Sequence, residues 1–169
     1  MSDQPDLREL SAEPISTEGF APFGAVLSSV PDGAAPLPGE SALDLSGGTP
    51  RFYVMGLKNR PPVFEVITRH RRVTQVLAAV GGGAWMLAVA PAHDGHGSGA
   101  APALGAVRAF AVPGDVAVLL YAGTWHAGPF FQAPTMSFFN LELADTNVVD
   151  HHNHSFVASD GVRIRLVAA

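Results

Sequence analysis

Glycine and proline recur along the whole chain and divide its apolar residues into short runs. The 169 residues include 18 glycines and 14 prolines. Runs of about 4–8 apolar, β-branched or aromatic residues between such turn residues are typical of β-strands. The runs lie at residues 51–58, 61–70, 73–80, 84–91, 107–112, 116–123 and 136–143. Residues 16–20, which precede Pro22 and Gly24, favour a short helix. The pattern predicts an all-β barrel or sandwich with one short N-terminal helix.

Glycine-rich stretches separate several of these runs. Gly81–Gly83 stand between residues 73–80 and 84–91 and predict a hairpin of these two strands. Residues 30–50 are irregular and predict either a lid or an insertion. Residues 93–106 predict a second loop, in which His93 and His96 are expected to be exposed.

Composition limits the classes of protein to which the chain can belong. Apolar residues make up 47%, charged residues 15%, and the net charge is −5. These values are typical of a globular domain and disfavour a nucleic-acid partner. Without cysteine, neither disulfides nor thiolate ligands are available. The polar N-terminus and the short apolar runs favour a cytoplasmic protein without membrane segments. We expect one domain over residues 1–169.

Strand alternation groups the polar residues of the predicted strands. Side chains alternate between the two faces of a strand. Thr68, His70 and Gln75 can therefore face one interior, whereas Arg69 points away and is expected at a solvated tip with its neighbouring arginines.

The last predicted strand separates its residues in the same way. Asn140 and Glu142 share a face with Phe138 and line either a wet cavity or the outer surface. The opposite face, formed by Phe139, Leu141 and Leu143, is wholly apolar and is expected in a core.

Two segments resemble the motifs of cupin barrels. The first cupin motif is His-x-His, three or four residues, Glu, six residues and Gly. Residues 68–70, Gln75 and Gly82 keep this spacing, and residues 121–126 keep that of the second motif, Pro-x-Gly-x-x-His. The resemblance implies a single-domain cupin-type jelly-roll β-barrel. Its core would span about residues 50–145, with an N-terminal segment and loop at 1–49 and a C-terminal tail at 146–169.

The chain further resembles the ureidoglycolate lyase (ureidoglycolate hydrolase) family over about residues 20–150. The resemblance implies a homodimer that cleaves ureidoglycolate, a small anionic substrate, to glyoxylate and urea in allantoin and purine catabolism. One departure stands out, because Thr68 occupies a position where the family typically has glutamate. The matching positions are Arg69, His70, Gln75, Trp125, His126, Glu142 and, more loosely, Lys58.

This cleavage needs a base, an acid and a cation for the substrate carboxylate. The resemblance implies that His70, His126 and Glu142 are catalytic. It implies substrate-binding roles for Arg69, Gln75, Lys58, Tyr121 and Trp125. His70, Gln75 and His126 would also be the ligands of a divalent metal such as nickel, manganese or zinc, which can acidify a hydroxyl.

Thr68 motivates two alternative functions. One is an enzyme of the same family with a changed small hydroxy-acid substrate, and the other is a non-catalytic small-molecule binding cupin. The segment "DHHNHSF", residues 150–156, is rich in possible metal ligands but follows the last predicted barrel strand. We interpret it as a surface or interface loop.

Overall fold

The structure is a computed structural model that describes residues 4–92 and 100–169. The predicted exposure of His93 and His96 lies outside these residues. The first strands are β1 (Asp6–Pro14), β2 (Gly24–Leu27), β3 (Pro50–Lys58), β4 (Val63–Phe64), β5 (Val66–Arg69) and β6 (Gln75–Val80). They are followed by β7 (Trp85–Ala90), β8 (Arg108–Val112), β9 (Ala117–Leu120), β10 (Trp125–Phe130), β11 (Thr135–Leu143), β12 (His152–Ser155) and β13 (Val162–Ala168).

The strands form two sheets, so the mostly β character predicted from the sequence is confirmed. One sheet has five strands in the order β2-β9-β6-β11-β3, and the other has eight in the order β12-β5-β10-β7-β8-β1-β13-β4. β6 and β7 lie in different sheets, so the predicted hairpin is wrong. Gly81 and Gly82, with φ of 90° and 77°, turn the chain from one sheet to the other.

Strands from both ends of the chain belong to the eight-stranded sheet. β1 pairs with β13 in parallel, from Asp6 opposite Val162 to Ala12 opposite Ala168. The sheets therefore extend beyond the predicted core of residues 50–145. The same sheet curls strongly, because Glu65 alone separates β4, its last strand, from β5, the second strand at its other end.

The curled sheet has apolar clusters on both of its faces. β7 shows this directly, since Leu87 and Val89 join one cluster while Ala88 and Ala90 join the other. The first cluster, with Phe110 and Phe138, packs toward the five-stranded sheet. The second, which includes Ile67, Trp125, Phe130, Phe156 and Ile164, fills the space inside the curl.

Helices occupy little of the described chain. The predicted N-terminal helix is confirmed as α1 (Thr17–Phe20), whose first turn is capped by Ser16 Oγ accepting from Gly19 N at 3.0 Å. Two further helices, α2 (Thr146–Val149) and α3 (Phe156–Asp160), were not predicted. Within residues 4–92 and 100–169, no helix has the length and apolar character needed to cross a bilayer.

The outer face of β11 differs from the prediction. Phe139 is 40% exposed and stacks on Phe52 of β3, which is 67% exposed, with ring centroids 5.7 Å apart. Only Leu143 of the predicted apolar face is buried. The prediction that this face packs in a core is therefore wrong, and β3 and β11 present an apolar outer surface.

Candidate functional site

A cavity of about 440 Å³ opens between the two sheets. β3, β6 and β11 contribute its polar floor, and β5 and β10 contribute the opposite wall. The predicted alternation is confirmed here, because Thr68, His70 and Gln75 all line the cavity, as do Asn140 and Glu142. Leu77, Phe64 and Phe130 add apolar surface. A cavity of this size, lined by many polar side chains, suits a small polar molecule.

Two histidines lie side by side on the same wall of this cavity. The rings of His70 at the end of β5 and His126 on β10 have centroids 5.2 Å apart. His70 Nδ1 donates to the main-chain carbonyl oxygen of Asp150 at 2.7 Å, and His126 Nδ1 donates to that of Thr124 at 3.3 Å. Because a carbonyl oxygen only accepts, both Nδ1 atoms carry the proton in the neutral rings. Each ring is thus left with an unprotonated Nε2.

Burial keeps both imidazoles neutral. Desolvation lowers the pKa of His126 to about 4, and the neighbouring His70 ring adds to this effect. Desolvation likewise lowers the pKa of His70, although the hydrogen bond to the Asp150 carbonyl opposes the shift. At neutral pH the cavity therefore contains two imidazoles that can accept a proton.

Glu142 lies on the cavity floor with its carboxylate held by neutral donors. It is 1% exposed, and its two oxygens accept from Gln75 Nε2 at 3.1 Å and Tyr53 Oη at 3.4 Å. Gln75 Nε2 also donates to Asn140 Oδ1 at 3.1 Å, and Asn140 Nδ2 donates to Tyr53 Oη at 3.1 Å. Burial of Tyr53 beside this carboxylate raises the pKa of the tyrosine. The network fixes the orientation of both amide side chains.

The segment 150–156 forms one wall of the cavity. β12 pairs with β5, and Asn153 Oδ1 accepts from Thr68 Oγ1 at 2.6 Å. His151 and Asn153 line the cavity together with Asn147 of α2. The exposure of residues 151–153 agrees with the predicted surface position, but the prediction of a loop is wrong, because residues 152–155 form a strand that pairs with β5. β12 has no alternation of apolar and polar residues, which is the pattern from which a strand is predicted in a sequence.

Four of the predicted substrate-binding residues do not reach the cavity. Arg69 and Trp125 lie on the opposite face of their strands, where the guanidinium is 4.4 Å from the ring centroid. Both are buried, so Arg69 is not at a solvated tip as predicted. On β3, alternation turns Tyr53 and Met55 inward and leaves Lys58 exposed outside the cavity. Tyr121 is 38% exposed beyond the end of β9.

Arg60 supplies a cation that sequence reasoning missed. It is the single lysine or arginine among the described residues that line the cavity. Its guanidinium is 4.9 Å from the centroid of the Phe130 ring, and the preceding Asn59 Nδ2 donates to the carbonyl of Phe131 at 2.6 Å. The hydrogen bond of Asn59 anchors the loop between β3 and β4, and the exposed Arg60 in this loop lies at the cavity mouth.

The predicted metal ligands His70 and His126 do not belong to a larger cluster of metal-binding side chains among the described residues. In the part of the chain that the structure describes, no group of three histidine, aspartate or glutamate side chains is placed to hold a metal ion. Gln75 Nε2 is engaged by Asn140 and Glu142. Its oxygen is buried and has no hydrogen-bond partner among the described residues. No chemical step is therefore assigned to a metal.

The protein belongs to the mostly β class, and its two sheets enclose a polar cavity. The paired imidazoles in this cavity make it a candidate site for a small polar molecule. A family model described as ureidoglycolate lyase matches residues 51–160, which covers most of the chain and every cavity residue discussed above. The chain therefore belongs to the ureidoglycolate lyase family, as the sequence motifs predicted.

Curated relatives carry the same name. A protein named ureidoglycolate lyase from Pseudomonas fluorescens (strain Pf0-1) is 26% identical over 139 residues, which cover 71% of this chain and 75% of that protein. Proteins of the same name from Pseudomonas putida (strain W619) and Pseudomonas entomophila (strain L48) are each 27% identical over the same shares. These relatives are named as lyases, so the family is one of enzymes.

Proposed function

We propose that the protein is a ureidoglycolate lyase, which cleaves ureidoglycolate to glyoxylate and urea. The observation that carries the proposal is the pair of neutral imidazoles, His70 and His126, in one cavity of a chain that belongs to this family. Ureidoglycolate is small, polar and anionic, which suits a cavity of about 440 Å³ with a cation at its mouth.

The reaction moves one proton off oxygen and another onto nitrogen. The substrate hydroxyl loses its proton to a base, the carbon–oxygen double bond forms, and the bond from carbon to the ureido nitrogen breaks. The departing nitrogen then takes a proton and leaves as urea. His70 is the base, because the Asp150 carbonyl that accepts from Nδ1 at 2.7 Å stabilises the ring once Nε2 is protonated. His126 is the second catalytic imidazole, and its Nε2 accepts a hydrogen bond from the substrate.

Gln75 and Glu142 act on the cavity floor. The Glu142 carboxylate orients Gln75 and Tyr53 through hydrogen bonds of 3.1 and 3.4 Å. Gln75 in turn faces the substrate, so Glu142 acts in catalysis through its neighbours. The substrate carboxylate binds Arg60 at the mouth, since a guanidinium matches a carboxylate in geometry and charge.

One assay tests this assignment. Purified protein is incubated with ureidoglycolate, and glyoxylate and urea are measured. His70→Gln should lower kcat by about 100-fold or more. Arg60→Gln should raise KM about tenfold with a smaller effect on kcat, whereas its matched control Lys58→Gln should change neither. Absence of turnover by the wild-type protein contradicts the proposed function.

Thr68 favours a second candidate, a lyase of the same family that acts on another small hydroxy acid. The residue lines the cavity, so its difference from the family pattern alters the cavity itself. Turnover of other α-hydroxy acids with none of ureidoglycolate supports this candidate. Binding of small carboxylates without any turnover supports a non-catalytic binding protein.

A bound divalent metal stays a prediction from the family resemblance. Elemental analysis of protein purified without an affinity tag, followed by assays with added nickel, manganese or zinc, tests it. Stoichiometric metal or metal-dependent turnover supports the prediction. Metal-free protein with full activity contradicts it.

The proposal also covers the type of fold and the oligomeric state. We propose a cupin-type jelly-roll barrel. It is supported by a chain that passes between the two sheets at β1–β2, β3–β4, β5–β6, β6–β7, β8–β9, β9–β10, β10–β11 and β11–β12. We also propose a cytoplasmic homodimer that buries the apolar surface of β3 and β11. A second copy suits it because β3 is an edge strand, whose free edge and stacked Phe52 can meet their own copies across a two-fold axis. Phe52→Ser should give monomers in light scattering, whereas a wild-type monomer contradicts this arrangement.

A further inference from the structure

Three polar side chains form a row across neighbouring strands on one wall of the cavity. Asn153 of β12 stands opposite Thr68 of β5, and Thr68 stands opposite His126 of β10. All three residues line the cavity. Side chains that stand opposite each other on neighbouring strands are about 5 Å apart. Because threonine is the shortest of the three, the row leaves room above Thr68 for part of a ligand that reaches both His126 and Asn153.

The hydrogen bond between Thr68 and Asn153 fixes the direction of the amide group. Thr68 Oγ1 lies 2.6 Å from Asn153 Oδ1, which is within the range of O–H···O bonds and below that of N–H···O bonds. The single hydroxyl proton of Thr68 is therefore donated to the amide oxygen. The two N–H groups of Asn153 Nδ2 are left for a ligand or for solvent, since this residue is exposed at the cavity mouth.

The strand that carries Asn153 is held firmly against the cavity wall. Residues 152–155 pair with β5 along their whole length. Just before them, the buried carboxylate of Asp150 accepts the main-chain N–H groups of Arg71 and Arg72, each at 2.8 Å. Asn153 thus presents a donor in a fixed place, which is what a specific binding site requires.

We propose that Asn153 is a substrate-binding residue whose Nδ2 donates a hydrogen bond to the ureido carbonyl oxygen, and that Thr68 is the residue that positions it. The inference rests on the proposed lyase function. Ureidoglycolate has a carboxylate at one end and a ureido group at the other. Arg60 lies beside Phe130, further along β10 from His126, whereas Asn153 is on the second strand to the side. The carboxylate and the ureido group therefore bind two different parts of the cavity.

A donor at the ureido oxygen also assists the cleavage. The electron pair of the breaking carbon–nitrogen bond passes to the ureido group, where nitrogen and carbonyl oxygen share the negative charge until the nitrogen takes its proton. A hydrogen bond to this oxygen is therefore stronger in the transition state than in the ground state. The site selects leaving groups that have a carbonyl oxygen.

The arrangement depends on threonine at position 68. An ionised glutamate, which is typical of the family there, only accepts hydrogen bonds and would engage Asn153 Nδ2 itself. Its longer side chain would also fill the space above position 68. Threonine instead leaves both the space and the donor to the substrate.

The first test removes the donor and measures both ends of the substrate. Asn153→Leu should lower kcat/KM for ureidoglycolate about tenfold, mostly through kcat. Water competes at this exposed position, so we expect a smaller effect than for a buried donor. The product urea should inhibit this variant about tenfold more weakly than the wild type. Inhibition by glyoxylate, whose carboxylate binds Arg60, should stay unchanged.

The second test uses a matched pair at position 68. Thr68→Val removes the hydroxyl group at nearly the same size, and should weaken turnover and urea inhibition as Asn153→Leu does, but less. Thr68→Ser keeps the hydroxyl group and should retain wild-type values. Thermal melting checks that the variants fold. If Asn153→Leu does not fold, the pair at position 68 decides with the same two inhibitors.

The outcomes separate the inference from the function on which it rests. A wild-type protein that does not cleave ureidoglycolate overturns both. Wild-type turnover combined with a kcat/KM of Asn153→Leu within twofold of wild type overturns the inference alone. Equal weakening of inhibition by urea and by glyoxylate also overturns it, since it indicates that Asn153 only shapes the cavity.

Discussion

Asp150 provides a direct test of how the cavity wall is held. Replacing it with alanine removes the acceptor of two main-chain N–H groups, those of Arg71 and Arg72 at 2.8 Å each. A hydrogen bond to an ionised acceptor contributes about 1.5–3 kcal/mol. Water can reach both amides after the change, because Arg71 and Arg72 are exposed residues. We therefore take the lower value, and expect the free energy of unfolding to fall by about 3 kcal/mol.

Asparagine at the same position keeps one acceptor but turns its Nδ2 donor toward the other N–H group, so it should lose at least half as much. Urea denaturation of the wild type, Asp150→Ala and Asp150→Asn measures both losses. Asp145→Ala is the matched control, because its carboxylate lies 3.9 Å from the Arg72 guanidinium with both side chains about half exposed. Such an exposed pair contributes at most about 1 kcal/mol.

The expected loss of unfolding free energy is largest for Asp150→Ala, smaller for Asp150→Asn and smallest for Asp145→Ala. If Asp150→Ala lost no more free energy of unfolding than Asp145→Ala, the two hydrogen bonds from the main-chain N–H groups to Asp150 would not stabilise the cavity wall.

Two further predictions follow from burial and close packing. Unfolded histidine binds a proton near pH 6.5 and folded His126 only near pH 4, so the unfolded state holds more protons between these values. The free energy of unfolding should fall by about 2 kcal/mol from pH 7.5 to pH 5, and the fall should be smaller in His126→Gln; equal falls in urea titrations refute the assignment. In β2, a Cβ on Gly24 would lie 1.8 Å from the Leu119 carbonyl oxygen, whereas one on Gly56 of β3 would meet no atom within 4 Å. Gly24→Ala should lose about 2–3 kcal/mol and Gly56→Ala almost none, and similar melting temperatures for the two would contradict the packing.

Spacing and alternation predicted the central part of the site. Strand alternation placed Thr68, His70 and Gln75 on one face, the family resemblance singled out His126 and Glu142, and all five residues line one cavity. The same rules turned Arg69 away from the cavity correctly but did not show that Trp125 covers it. A residue on the far face of a strand is buried or exposed according to what the rest of the chain packs there, and local sequence does not contain that information.

Pairing between strands was the weaker part of the prediction. β6 and β7 carry apolar residues on both faces, although only β7 is buried on both, so their sequences do not specify which sheet each joins. The position of His151 in the cavity was missed because residues 150–155 contain no apolar residue and β12 is held by its pairing with β5. Phe139 was placed in a core because an exposed aromatic stack looks the same in a sequence as a buried one.

The parallel pairing of β1 with β13 affects the order in which parts of the chain can fold during synthesis. β1 emerges from the ribosome early, yet its two neighbours in the sheet, β8 and β13, are synthesised much later. Until β13 is made, the cluster that contains Ile164 and Leu166 has no closing wall, and both edges of β1 are open to other chains. Such distant pairings slow folding and lengthen the time in which aggregation can occur. The sheet around β1 can therefore close only after β13 has been synthesised, so β1 folds late although it is made before its partners.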